Sequence, residues 1–181
     1  MKLALFGGSF DPPHAGHVAI VEAALAALPV DRLIVVPASR NPFKPSVRAD
    51  GQVRYGWLKR IFASQPKVEI SDFEISQNRS VYAIETVRHY APTCDELYFI
   101  IGADNLESLE KWHRFTELDA TVRWVVATRR GIAIPEGMIP LNVDVPLSST
   151  DFRSRFAPLG LDSGIENDII TYYKELNESE N

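Results

Sequence analysis

Only one cysteine, Cys94, occurs in 181 residues, so the chain can form no internal disulfide and has no paired Cys-x-x-Cys ligands for a zinc module. Nor does any run approach the roughly 18 consecutive apolar residues of a membrane helix. The opening Met1-Lys2-Leu3-Ala4-Leu5-Phe6 meets glycine too soon to serve as a signal sequence. These absences predict a cytoplasmic protein with no membrane partner. Basic charge is not in excess, since 19 Lys and Arg against 24 Asp and Glu leave a formal net charge of −5. With a pI near 5.4, a broad grip on nucleic acid is not expected, which leaves room only for a local phosphate pocket. Two common phosphate signatures are missing as well. No Gly-Lys-Ser/Thr follows Gly7-Gly8, and Gly7-Gly8 with Gly16 does not fit G-x-G-x-x-G.

What is present is the composition of one globular domain, 45% hydrophobic and 24% charged. A chain of this size buries roughly 70% of its unfolded surface, enough for a core without metal or disulfide support. Leu3–Phe6 reads as a buried strand ending in a glycine turn, Ala15–Leu28 as a helix closed by Pro29, and Leu33–Val36 as a second buried strand. The alternation continues with a helix over 50–64, a strand at Val68–Ile70, a helix over Val81–Tyr90 and a strand at Leu97–Ile101. A helical stretch over Leu106–Leu118, strands at Val122–Ala127 and Asn142–Val145, and a last helix near Ile165–Leu176 complete the series. Such alternation predicts an α/β fold, a single Rossmann-like doubly wound parallel sheet with helices on both faces. No shift in composition divides the chain, so residues 1–181 are expected to form one domain. The segment Pro37–Gly51, with Arg40, Lys44 and Arg48, reads as a long loop, of a length that in compact domains is usually functional or mobile.

Ligands of open parallel sheets bind beyond the carboxyl ends of the strands, and the first such end carries Gly7-Gly8-Ser9-Phe10-Asp11-Pro12-Pro13-His14-Ala15-Gly16-His17. Glycines let backbone N–H groups approach an anion, and the helix that follows adds its own donors. His14 and His17 share one side of its first turn, where two imidazoles suit a polyphosphate. A structural role, or a metal clip completed by Asp11 or Asp104, is the competing reading. Near the other end, Ser149 and Thr150 can cap a short helix while Arg153 adds a planar fork of donors for an anion.

The run Gly8-Ser9-Phe10-Asp11-Pro12 with His14-Ala15-Gly16-His17 resembles the signature of the nucleotidylyltransferase superfamily. Its second signature, Ser-Ser/Thr-x-x-Arg, is matched by Ser148-Ser149-Thr150-Asp151-Phe152-Arg153. Ile101-Gly102-Ala103-Asp104-Asn105, followed by Trp112-His113-Arg114, is similar to the Gly-Ala-Asp and Trp-x-Arg region of the bacterial nicotinate mononucleotide adenylyltransferase family. The resemblance covers most of the chain, with the Ser-Ser-Thr-x-x-Arg and a helical segment at 148–178.

The resemblance implies transfer of AMP from ATP to nicotinate mononucleotide, with release of pyrophosphate, in NAD synthesis. It implies ATP binding by Gly8, Ser9, Phe10, His14, Gly16, His17, Gly102, Asp104, Ser149, Thr150 and Arg153. His17, His14, Lys44 and Arg153 would act in catalysis, and Lys44, Thr86 and Trp112 would bind the mononucleotide. Asp104 would hold the ATP ribose, Trp112 would lie against the pyridine ring, and Mg²⁺ would come with ATP, with no dedicated metal site in the protein. Three positions depart from the family pattern. Asn41-Pro42-Phe43-Lys44 lacks its usual histidine, Val81-Tyr82-Ala83 replaces Ser-Tyr-Thr, and Phe152 stands at a commonly aliphatic position. Alternatives are a pantetheine-phosphate adenylyltransferase, a non-catalytic nucleotide sensor and a metal-dependent hydrolase. The first usually carries Thr where His14 stands, and a sensor would not call for two histidines together with Arg153.

Overall fold

The computed structural model describes residues 1–39, 48–128 and 132–179. Lys44, most of the Pro37–Gly51 loop reading and the Asn41–Lys44 departure lie outside the described residues. Six strands among those described form one parallel sheet. They are β1 (Lys2–Gly8), β2 (Arg32–Pro37), β3 (Val68–Ile70), β4 (Glu96–Gly102), β5 (Arg123–Thr128) and β6 (Ile139–Asn142), in the order β3-β2-β1-β4-β5-β6. Side chains alternate across each strand, so the central strands feed two cores. Ala4, Phe6, Leu33, Val35, Ile100 and Val125 point into one, and Leu3, Leu5, Ile34, Val36, Phe99 and Val126 into the other.

Helices cover both faces. The first core is closed by α1 (Ala15–Ala27) through Val21 and Ala24 and by α2 (Gly51–Ile61) through Leu58. The second is closed by α3 (Ala83–Tyr90) through Ile84 and Val87 and by α4 (Phe115–Thr121) through Leu118. The arrangement is the doubly wound, Rossmann-like fold that the alternation of elements implied. A third cluster joins Trp57 of α2 to Phe152 of α5 (Ser149–Arg155) and to Ile169 and Tyr173 of α6 (Ser163–Ser179). No described helix is long and apolar enough to cross a membrane.

Three elements depart from expectation. The last strand covers Ile139–Asn142 rather than Asn142–Val145. Pro140 argues against a strand in sequence, but β6 pairs only with β5, and an edge strand tolerates proline. The stretch read as one helix over Leu106–Leu118 is a 3₁₀ run, Ala103–Lys111, then a break, then α4. Arg114 takes a left-handed conformation, φ 56°, at that break, which hydrophobic spacing does not reveal. Finally, α3 begins at Ala83, after Val81 and Tyr82, because Tyr82 is its extended N-cap.

The strand order reverses between β1 and β4, so the chain leaves their carboxyl ends in opposite directions. Gly8 and Gly102 therefore flank a crevice at the topological switch point.

Candidate active site

A cavity of about 750 Å³ opens at that crevice. Its floor comes from the loop between β1 and α1, held in an uncommon shape by Phe10, whose φ is 47°. The buried Phe10 ring packs edge-on to Phe6 and to His17, with centroids 5.4 and 4.8 Å away. Gly8, Ser9, Phe10, His14, Gly16 and His17 all line this wall.

His14 is the N-cap of α1. Its Nδ1 accepts from the Gly16 N–H at 3.1 Å, while His17 Nδ1 accepts from the His14 N–H, also at 3.1 Å. The two rings stack with centroids 3.8 Å apart. Because each Nδ1 is an acceptor, each ring carries its proton on Nε2. A Cβ at position 16 would lie 2.8 Å from the His14 ring, so the stack requires glycine there. Burial pushes His14 down to about 4, which makes it a neutral donor near pH 7 rather than a cation.

Across the crevice, Ser149, Thr150 and Arg153 face the same cavity. The helix cap belongs to Ser148, whose side chain accepts from the Asp151 N–H at 3.2 Å, and not to Ser149 or Thr150. Ser149 instead donates to the Pro12 carbonyl at 2.8 Å, and Thr150 Oγ1 accepts from Arg153 at 3.4 Å. Arg153 also donates to the Asp11 carbonyl. These contacts tie the C-terminal motif to the first loop, although Arg153 follows Asp11 by 142 positions of sequence.

Gly102 and Asp104 line the cavity at the end of β4. A Cβ on Gly102 would lie 2.5 Å from Asp104 Oδ1, so the missing side chain makes room for the carboxylate. The far end is apolar and aromatic. Phe99, Ile101 and Trp112 line it, and the Trp112 ring stands edge-on to Phe99 and Trp124 at 6.3 Å from each. Thr86 does not line the cavity. It is buried, and its hydroxyl donates to Glu74 Oε1 at 2.6 Å.

Asp11 and Asp104 are the candidate third ligands for a metal clipped by the two histidines. Asp11 is 3% exposed and its oxygens accept from the N–H groups of Arg48 and Ala49, at 2.9 and 3.0 Å, and from the Tyr173 hydroxyl. The histidines commit Nδ1 to the backbone. Among the described residues no group of three or more His, Cys, Asp or Glu could hold a metal ion.

The family model for cytidylyltransferase-like proteins matches residues 5–155. A protein of a Nitratiruptor species, named "probable nicotinate-nucleotide adenylyltransferase", is 45% identical over 178 residues, covering 96% of this chain and 99% of the relative. The chain belongs to the nicotinate-nucleotide adenylyltransferase family. The fold extends further than the sequence likeness. Two structures of the Plasmodium falciparum nicotinic acid mononucleotide adenylyltransferase, complexed with APC and with NaAD, each superpose with a TM-score of 0.73 at 17% and 18% identity. They cover 97% of this chain and 97% and 96% of theirs.

Several residues in or beneath this family member's cavity were not named as site candidates from the sequence. Glu74 lines the wall near α3, and burial pushes its carboxyl up to about 7 despite the Thr86 hydroxyl bond. Tyr82 stacks on His113 with centroids 4.4 Å apart at the rim. Arg54, with no exposed surface, donates to the carbonyls of Ser9, Ala38 and Ala49 at 2.6, 2.8 and 2.9 Å and so clamps the first loop from beneath. Of these, Tyr82 and His113 fall within stretches compared with the family pattern, whereas Glu74 and Arg54 fall in none.

Proposed function

We propose that this adenylyltransferase joins nicotinate mononucleotide to the AMP part of ATP, giving nicotinate adenine dinucleotide and pyrophosphate in NAD synthesis. The observation that carries the reading is the pair of imidazoles fixed by their own backbone so that Nε2–H is the donor of each. They face Arg153 across a cavity whose other end is aromatic. A phosphate oxygen of the mononucleotide attacks the α-phosphorus of ATP in line. The new P–O bond forms as the bond to the β-phosphate oxygen breaks, and pyrophosphate leaves with that electron pair. The attacking phosphate is already an anion near neutral pH, so no general base is required, and catalysis rests on positioning and charge stabilisation.

In this reading His17, with His14 beside it, donates to the α-phosphate, and donors held before reaction cost no reorganisation when charge builds. Arg153, Ser149 and Thr150 hold the β- and γ-phosphates, and Lys44 supplies a further cation for the phosphates. Asp104 accepts from the ribose hydroxyls of ATP. Trp112 offers an indole face to the pyridine ring. Thr86, whose hydroxyl is engaged by Glu74, acts on the mononucleotide side through Glu74 rather than by direct contact. Mg²⁺ would come with ATP and would neutralise charge on the leaving pyrophosphate. Residues 1–181 form one catalytic domain, and a cytoplasmic location suits its substrates and its single cysteine.

The test is pyrophosphate release from ATP with nicotinate mononucleotide, nicotinamide mononucleotide and phosphopantetheine in parallel. Turnover with the first is expected. Turnover with phosphopantetheine alone would favour the pantetheine-phosphate reading, and ATP binding without any release would favour a sensor.

A further inference from the structure

The family model ends at residue 155, yet α6, beyond it, reaches the first loop. Tyr173 is 1% exposed and donates its hydroxyl to Asp11 Oδ1. Its ring is packed against Phe152 and Trp57, with centroids 5.3 and 6.0 Å away, which places the hydroxyl at Asp11. The same Oδ1 accepts from the Ala49 N–H, and Oδ2 from that of Arg48. Arg153 stands 3.9 Å from Oδ2, longer than a hydrogen bond, while it donates to the Asp11 carbonyl and to Thr150.

We propose that Tyr173 is a positioning residue for Arg153, acting through the orientation of the Asp11 carboxylate. The phenol and two backbone donors hold that carboxylate in one orientation. Its charge is thereby kept close to Arg153 without being hydrogen-bonded to it, so guanidinium N–H groups stay available to a phosphate. Without the phenol, Oδ1 keeps one donor of two, and the carboxylate can turn onto the guanidinium. An Arg153 chelated by Asp11 has fewer N–H groups for a nucleotide. This inference rests on the reading of the cavity as an ATP site.

The test uses Tyr173→Phe, which keeps the packed ring, alone and combined with Arg153→Ala. ATP affinity is read by direct titration as well as by KM, so that turnover is not needed to see it. Tyr173→Phe is expected to weaken ATP binding about tenfold while kcat changes about twofold or less, because the phosphates held are charged before and during reaction. In the Arg153→Ala background the same change is expected to cost under about twofold, since the residue it positions is gone. Ile169→Val, a change in the same apolar cluster, should lower the melting temperature and leave ATP affinity unchanged. An unaltered ATP affinity in Tyr173→Phe, or a full tenfold loss that persists without Arg153, overturns the proposal. Failure of wild-type protein to bind ATP would overturn the ATP-site reading itself, and the inference with it.

Discussion

Two buried groups on the cavity wall titrate in opposite senses, and the stability of the protein should reveal both. Burial holds His14 at about 4, down from its ordinary 6.5. The unfolded chain therefore binds a proton there that the folded chain does not, so stability is lost as pH falls from 6.5 toward 4. Burial holds Glu74 at about 7, up from 4.5. Here the folded chain binds the extra proton, so the contribution is fully present below 4.5 and is lost as pH rises through 7. Between pH 7.5 and 5, each group changes the free energy of unfolding by about 2 kcal/mol, with opposite signs. In the wild type the two largely cancel.

Substitution separates them. His14→Asn keeps an N-cap side chain that can accept from the Gly16 N–H but cannot titrate. Its stability relative to wild type should rise by about 2 kcal/mol on going from pH 7.5 to 5. Glu74→Gln keeps an acceptor for Thr86, and its relative stability should fall by a similar amount, about 2 kcal/mol, over the same range. Urea unfolding at several pH values, with m unchanged, measures both differences. The ion-paired carboxylates at the surface, such as Glu117 with Arg88, titrate alike in all three proteins and drop out of the comparison. Difference curves that stay flat from pH 7.5 to 5 would refute the reasoning, since neither group would then be shifted by its burial.

His17→Ala should lower kcat about a hundredfold with little change in ATP affinity, because its contact strengthens only as charge builds on the α-phosphate. Turnover within a few-fold of wild type would make His17 structural. Gly102→Ala should raise the ATP KM about tenfold by turning the Asp104 carboxylate out of place, since a hydrogen bond to a charged group is worth that much. An unchanged KM would separate Asp104 from the ribose. Wild-type enzyme should strongly prefer the acid mononucleotide over the amide, and Trp112→Ala should weaken use of both while keeping their ratio, because an indole face stacks on either ring. Comparable kcat/KM for acid and amide defeats the first part, and a changed ratio the second.

The fold was legible because burial of a parallel sheet on both faces leaves a plain mark. Leu33-Ile34-Val35-Val36 and Leu97-Tyr98-Phe99-Ile100-Ile101 are continuous apolar runs, and both are central strands. The misplaced elements lie where that pressure is absent. β6 is an edge strand of four residues, partly exposed, with a proline inside it. Trp112–Arg114 breaks a helix-like pattern through backbone conformation, and a left-handed arginine has no compositional signature.

The candidate site divides in the same way. His14 and His17 were legible because helical spacing alone puts them side by side, and the structure adds that each caps through Nδ1. Which serine capped α5 was not, because Ser148, Ser149 and Thr150 are chemically equivalent until the chain's approach to the helix is known. Least legible is the support beneath the site. Asp11 meets Ala49, Arg153 and Tyr173 across 38, 142 and 162 positions of sequence, and no local pattern encodes contacts at such range. Yet the first loop reads as a phosphate motif only because those contacts hold it. Glycines and histidines line the cavity, whereas a buried aspartate, a buried arginine and a tyrosine from the last helix make the long-range contacts of that loop. The motif runs therefore supply most of the cavity's polar lining and one of its supports, Asp11, whereas the contacts of Arg54 and Tyr173 with the first loop are recognisable only in three dimensions.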